Sequence, residues 1–316
     1  MGLRAVAYQV AGKTYSYAEP RFSLSVSPNS RLSLKFAYSR MHQFVHLLSS
    51  NSVGLPNDIW VPATQRVPPQ RSDQITVGLT YSLPNQLLSV TLEAYHKTLS
   101  GLIDYQTGTN FLTNFSRQWE NTVERNGIGD SKGVELLVLK TQGRVTGWMA
   151  YTLARHRRRF PTIDQNRWYA PNYDRRHVFS LTGQYAISEQ VSLAATWIYQ
   201  SGQPTTVPIA IQENIAGEAT AYPPLIYGDR SNFRMPAYHR LDLSLTIRHV
   251  TRRIRQAQWS FGVYNAYNQA NPFYLDFDRR LVYAAPRQPV GFDYKVVRRA
   301  VFPVLPYVTY SLSFPR

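Results

Sequence analysis

The chain has 316 residues, 43% hydrophobic and 13% aromatic, with a formal net charge of +16 and no cysteine. Mean hydropathy is −0.34, and the longest uninterrupted apolar run, Leu281 to Ala285, is far below the ~18 residues a spanning helix needs. A bundle of transmembrane helices is excluded, as are a disulfide framework, a thiolate nucleophile and a Cys-based metal site. The charge lies in loops and strand ends instead of a helical stripe, which argues against nucleic acid and for lipid phosphates or an acidic solute as the anionic partner.

Residues 3–10 form the first expected strand: Val6, Tyr8 and Val10 alternate with Ala5, Ala7 and Gln9, the period of two that a pleat imposes. A short loop opens at Gly12-Lys13, and residues 21–27 follow as the second strand. Beyond the turn Ser27-Pro28-Asn29-Ser30, Leu32, Leu34, Phe36 and Tyr38 alternate with Ser33, Lys35, Ala37 and Ser39, in a strand expected to run on to His46. A long loop covers about 49–70. Residues 75–81 and 88–94 make a hairpin through Leu83-Pro84-Asn85-Gln86. A polar loop, about 100–130, precedes strands 133–140 and 145–153. A basic loop from Arg155 to Tyr173 leads to strands 177–187 and 191–199, and a loop of 202–235 to strand 239–248, where Leu241, Leu243, Leu245 and Ile247 oppose Arg240, Asp242, Ser244, Thr246 and Arg248. The turn Arg252-Arg253-Ile254-Arg255 enters strand 259–263, and a last long loop spans 268–299. In the terminal strand, 301–314, Val304, Val308, Tyr310, Leu312 and Phe314 separate from Tyr307, Thr309, Ser311 and Ser313.

Twelve strands result, joined alternately by short turns (after 27, 83, 141, 187 and 250) and long loops. That alternation, with apolar-aromatic and small-polar faces, is the signature of an all-β, antiparallel up-and-down transmembrane β-barrel. The N-terminus lacks a charged n-region, an apolar h-region and a small-residue cleavage site, so an exported product requires sequence ahead of Met1.

No hydrolase elbow, Walker loop or His-Glu-x-x-His motif is present, and Gly127-Ile128-Gly129-Asp130-Ser131-Lys132-Gly133 lacks phosphate-loop spacing. His42 and His46 would stand ~13 Å apart on a strand, too far for shared metal ligation. Neither catalytic residues nor a cofactor is assigned; His96, His156 and His177 are the histidines a barrel hydrolase could recruit. The cluster Arg157, Arg158 and Arg159, with Arg155 before it and Arg175 and Arg176 after it, reads either as a rim attracting lipopolysaccharide phosphates or an anionic solute, or as a solvated loop paired with Asp164, Asp174 or neighbours. Arg240, Asp242 and Arg248 line the polar face, and either guide a solute or pair across strands.

His46-Leu47-Leu48-Ser49 with Gly54-Leu55-Pro56-Asn57-Asp58-Ile59-Trp60-Val61-Pro62, Gly133-Val134-Glu135-Leu136, and Thr146-Gly147-Trp148 with Tyr151-Thr152-Leu153 form an ordered series. It continues through Tyr173-Asp174-Arg175-Arg176-His177, Gly262-Val263-Tyr264-Asn265-Ala266-Tyr267-Asn268 with Asn271-Pro272, and the Phe-ended last strand. Together these resemble the C-terminal part of TonB-dependent outer-membrane receptors of the Bacteroidetes type. The resemblance implies a plugged barrel of about 22 strands, of which residues 1–316 would supply twelve as one barrel domain without plug, TonB box or signal peptide. It further implies the outer membrane of a Gram-negative bacterium, outer-membrane lipid and lipopolysaccharide as surroundings, and TonB-driven uptake of a siderophore, cobalamin, glycan or peptide. The TonB complex would be reached only through the plug, and a surface lipoprotein on the loops stays open. The residues also admit a self-contained twelve-stranded pore or hydrolase, and a soluble β-rich binding protein. A self-contained barrel must pair residues 3–10 with 301–314, because unpaired backbone in lipid costs several kcal/mol per group.

Overall fold

The computed structural model describes residues 1–49, 58–84, 87–106, 119–211, 225–249, 256–286 and 288–313. The chain opens with β1 (Gly2–Val10), β2 (Lys13–Asn29) and β3 (Leu32–Gln43), then makes an outer hairpin of β4 (Val45–Ser49) and β5 (Asp58–Pro62). It returns through β6 (Gln70–Ser82), β7 (Leu88–Tyr105), β8 (Val123–Lys140), β9 (Val145–Arg159), β10 (His177–Ala186) and β11 (Val191–Gln200). Four short strands follow, β12 (Pro204–Thr205), β13 (Pro208–Ile211), β14 (Leu225–Tyr227) and β15 (Phe233–Arg234), then β16 (Tyr238–His249) and β17 (Gln256–Tyr264). A hairpin of β18 (Tyr274–Ala285) and β19 (Gln288–Arg299) precedes β20 (Leu305–Ser313). The long strands form one 12-stranded sheet in chain order, β1-β2-β3-β6-β7-β8-β9-β10-β11-β16-β17-β20. Among the described residues β1 and β20 are its two ends and are not paired with each other.

Residues directly opposite in an antiparallel ladder share a face, so the register sorts the side chains. One face carries the rows Leu34–Leu79–Leu92–Leu136 and Leu193–Leu245–Phe261–Val308. The other carries hydroxyl pairs: Thr80–Thr91 at 3.1 Å, Thr182–Thr196 at 3.2 Å and Thr246–Ser260 at 3.3 Å. The large apolar residues stand out from the sheet, with Leu92 46% and Val308 61% exposed. A continuous apolar surface of this extent requires a non-aqueous environment. The buried apolar clusters lie instead in the outer excursions: Leu48, Val61, Val67, Ile103, Tyr105 and Val123 form one, and Leu102, Phe160, Ile163 and Tyr169 another. Among the described residues no helix is long and apolar enough to cross a membrane.

All twelve expected strands are found, but several boundaries move. β7 and β8 are 18 residues each, well beyond the ~10 that a tilted strand needs to span a bilayer, so much of the expected 100–130 loop is strand projecting past the apolar belt. Arg155 to Arg159 are likewise strand and not loop. The loop expected after strand 3–10 is the two-residue turn Ala11-Gly12, with φ of 45° and 79°, a type I′ geometry that matches strand twist. β3 ends at Gln43; His46 belongs to the outer hairpin opposite Val61. The expected loop 268–299 contains the β18–β19 hairpin. Phe314, the 54–57 segment and the 252–255 turn lie outside the described residues.

Candidate functional site

Alternation along β16 puts Tyr238, Arg240 and Asp242 on the polar face, and β17 brings Tyr264 beside them. The Arg240 guanidinium lies 4.0 Å over the Tyr264 ring and 6.0 Å from that of Tyr238. Its Nη1 donates to both tyrosine hydroxyls, at 2.8 Å for Tyr238, and its Nε to Asp242 Oδ2 at 3.0 Å. The other Asp242 oxygen accepts the Asn265 backbone N–H at 3.0 Å, fixing the carboxylate to the end of β17. A cation held over an aromatic face and bonded to a fixed carboxylate is preorganised. The Asp242 carboxylate offsets the Arg240 charge, so a solute meets a hydroxyl-rich surface around one preoriented guanidinium.

Three asparagines build the frame. Asn265, fully buried, accepts the Gln269 N–H and donates to the carbonyls of Gln269 and Phe302, each at 3.0 Å. Asn268 Oδ1 accepts the Val304 N–H at 3.0 Å, and Asn271 both accepts from and donates to the His239 backbone at 2.9 Å. Asn265 and Asn268 adopt φ of 55° and 53°, left-handed conformations that asparagine tolerates. In the same segment, a Cβ on Gly262 would fall 2.3 Å from the Tyr307 ring, so glycine gives that ring its place. The segment 262–271 therefore stitches the outer ends of β16, β17 and β20 together.

The expected basic cluster divides. Arg158 is almost buried; its Nη1 stands 3.5 Å from Asp104 Oδ2, which also accepts the Tyr169 hydroxyl at 2.6 Å. Burial, and then the Asp104 charge, push the Tyr169 hydroxyl pKa up. Arg157 donates to Asp130 at 2.9 Å, and Arg157 and Arg159 both lie over the Trp168 ring, at 4.8 and 5.0 Å. Arg175 donates to Gln203 at 2.6 Å and to the Asn172 carbonyl at 3.0 Å, while the Arg176 carbonyl accepts the Ala154 N–H. The two aspartates expected as partners go elsewhere: Asp174 pairs with Arg234 at 2.7 Å and Asp164 accepts the Arg230 N–H. Arg248 stands opposite Gln258, exposed, at the other end of the polar face from Arg240.

The sequence reading placed Arg240 and Asp242 but missed Tyr238 and Tyr264; aromatic residues at the polar end of a polar-face row were the available signal. It also missed Asp104 and Tyr169, which no spacing links to Arg158. Of the histidines a hydrolase could recruit, His156 bonds Ser131 Oγ through Nδ1 at 2.7 Å, and Asp174 accepts its backbone N–H at 2.9 Å. The ring nitrogen that would face an aspartate is thus occupied by the serine, the reverse of a relay. His46, sealed in the outer hairpin, has its pKa lowered by burial to about 4 and is neutral near pH 7.

The sequence profile of the family described as TonB dependent receptor-like, beta-barrel, matches residues 1–266. The chain belongs to this family. The match is to the receptor barrel family as a whole and does not single out the Bacteroidetes type. Among solved structures, the ferripyoverdine receptor of the Pseudomonas aeruginosa outer membrane has a TM-score of 0.60 and 13% identity, over 98% of this chain and 35% of that one. The ferric-catecholate import receptor Fiu from E. coli K12, closed form, gives 0.56 and 11%, over 95% and 35%. BauA, the ferric preacinetobactin receptor from Acinetobacter baumannii, gives 0.56 and 13%, over 96% and 37%. At such identities the likeness shows the fold, and this receptor barrel chain spans roughly a third of the length of those proteins. No curated protein sequence matches it. The family and its structural neighbours are transport receptors, not enzymes.

Proposed function

We propose that the chain is part of an outer-membrane receptor barrel for TonB-dependent uptake of an oxygen-rich solute, of the ferric-chelate class named for its structural neighbours. The observation that carries this reading is the Arg240–Tyr238–Tyr264–Asp242 cluster on the polar face, which becomes the lumen once the apolar face meets lipid. Energy enters through a plug and TonB box outside these residues, and the outer excursions present the entry surface. Outer-membrane lipid and lipopolysaccharide are the surroundings of the belt.

Loss of Arg240 removes the charge while leaving the strand pattern intact. For the purified chain in detergent, titrated with ferric tris-catecholate and followed by tryptophan quenching, Arg240→Gln is expected to weaken binding about tenfold, near 1.4 kcal/mol. Unchanged affinity would remove the cluster from the solute path.

A further inference from the structure

We infer that the outward face of β3, β6, β7, β8 and β9 carries a binding site for the phosphate groups of an outer-leaflet glycolipid. The inference rests on the outer-membrane placement proposed above and not on the identity of the solute. Successive rungs of the apolar face show why. The row Phe36–Val77–Ala94–Val134–Leu153 is the last fully apolar one. One rung outward stand Tyr38–Ile75–His96–Lys132–Arg155, then Arg40–Asp73–Thr98–Asp130–Arg157, then His42–Arg71–Ser100–Ile128–Arg159.

These three outer rungs hold six cations, Arg40, Arg71, Lys132, Arg155, Arg157 and Arg159, against two carboxylates, Asp73 and Asp130. Both carboxylates are engaged. Asp73 accepts Arg40 at 2.6 Å and the Tyr38 hydroxyl at 2.8 Å, with Arg71 at 3.0 Å; Asp130 is shared by His96 at 2.8 Å and Arg157 at 2.9 Å. Lys132 and Arg155 are directly opposite and both exposed, and among the described residues no carboxylate pairs with either. Like charges facing each other across a ladder are destabilising unless an anion sits between them. At ~4.8 Å strand spacing, one phosphate reaches both the Lys132 ammonium and the forked Arg155 guanidinium.

A cavity of about 440 Å³ on the same face, lined in part by Arg40, His42, Arg71 and Ser100, extends the site toward β2. The neighbouring sector differs: among the described residues, where β10, β11 and β16 leave the belt, the outward residues are His177, Phe179, Tyr199 and His239, with no lysine or arginine. The occupant is a lipid-borne phosphate and not a free one because the cations sit one rung above exposed Val134 and Leu153, where the acyl chains of the same molecule lie on the belt.

The test uses the purified full chain in detergent micelles doped with diphosphorylated lipid A or its dephosphorylated form, with retained glycolipid counted by native mass spectrometry. The native chain should retain the phosphorylated form at least tenfold better. Lys132→Gln combined with Arg155→Gln should abolish that preference, while Arg31→Gln, at a turn on the opposite end of the sheet, should keep it. Equal retention of both glycolipids by the native chain, an unchanged preference in the double variant, or displacement by inorganic phosphate at equal concentration would each overturn the inference. Ferric tris-catecholate binding by the same double variant should match that of the native chain, which separates the two proposals.

Discussion

Gly147→Val is expected to prevent the barrel sheet from assembling, with refolded yield in detergent, read by far-UV circular dichroism and heat-dependent gel mobility, falling at least tenfold. Gly147 has φ of +153°, a backbone region essentially reserved for glycine. A Cβ there would lie 2.1 Å from the Thr182 carbonyl oxygen and 3.0 Å from the Gly183 Cα. Those atoms are backbone of the neighbouring strand, so relief requires β9 and β10 to separate along a ladder that runs from Val145↔Tyr185 to Leu153↔His177. Strained backbone costs ~1–3 kcal/mol and overpacking a further ~1–3 kcal/mol, comparable to the net stability of many domains. Gly183→Ala, where an added Cβ meets nothing within 4 Å, is the matched control and should fold normally. Equal yields for the two variants would contradict the close approach of these strands.

Asp104→Ala is expected to cost about 3–5 kcal/mol, the penalty for stripping one partner from a buried ion pair, and to expose the outer excursion to protease. Arg158 and Asp104 have side-chain exposures of 11% and 3%, and Asp104 also holds the Tyr169 hydroxyl and the Tyr105 N–H, at 2.6 and 2.8 Å. Removing the carboxylate leaves a guanidinium, a hydroxyl and an amide with no acceptor beside the Leu102, Phe160, Ile163 and Tyr169 cluster. Asp104→Leu with Arg158→Met, which removes both charges, should recover much of the loss. If Asp104→Ala proves neutral, the pair is hydrated in solution and the rim reading of Arg158 regains force.

The membrane-facing half of the molecule was legible because lipid imposes a strict rule there. Leu241, Leu243 and Leu245 must face one way and Asp242, Ser244 and Thr246 the other, and a one-residue slip would reverse every side chain. Above the belt that rule lapses. Arg155 to Arg159 read as a loop, yet they continue β9, because both faces there meet water or loop cores. The β18–β19 hairpin was hidden for the same reason: Asp276 pairs with Arg299 and Asp278 with Arg280, giving no apolar alternation to read. Buried partnerships such as Asp104–Arg158, 54 residues apart by number, depend on tertiary approach that period and spacing do not encode. The asparagines of 265–271, which stand out in the sequence only through a family likeness, act as backbone clamps.

The barrel fold puts one face of the sheet against lipid and the other around a wet lumen. Because the chain has no cysteine, single cysteines along β16 report on it without background. In lipid vesicles, cysteine at 241, 243 and 245 should be quenched by a lipid-attached spin label after fluorophore attachment and should resist a water-soluble maleimide, while cysteine at 242, 244 and 246 should show the reverse. Strict alternation through all six positions is expected; equal reactivity on the two faces, or a chain that stays monodisperse in water without detergent, would overturn this two-faced arrangement.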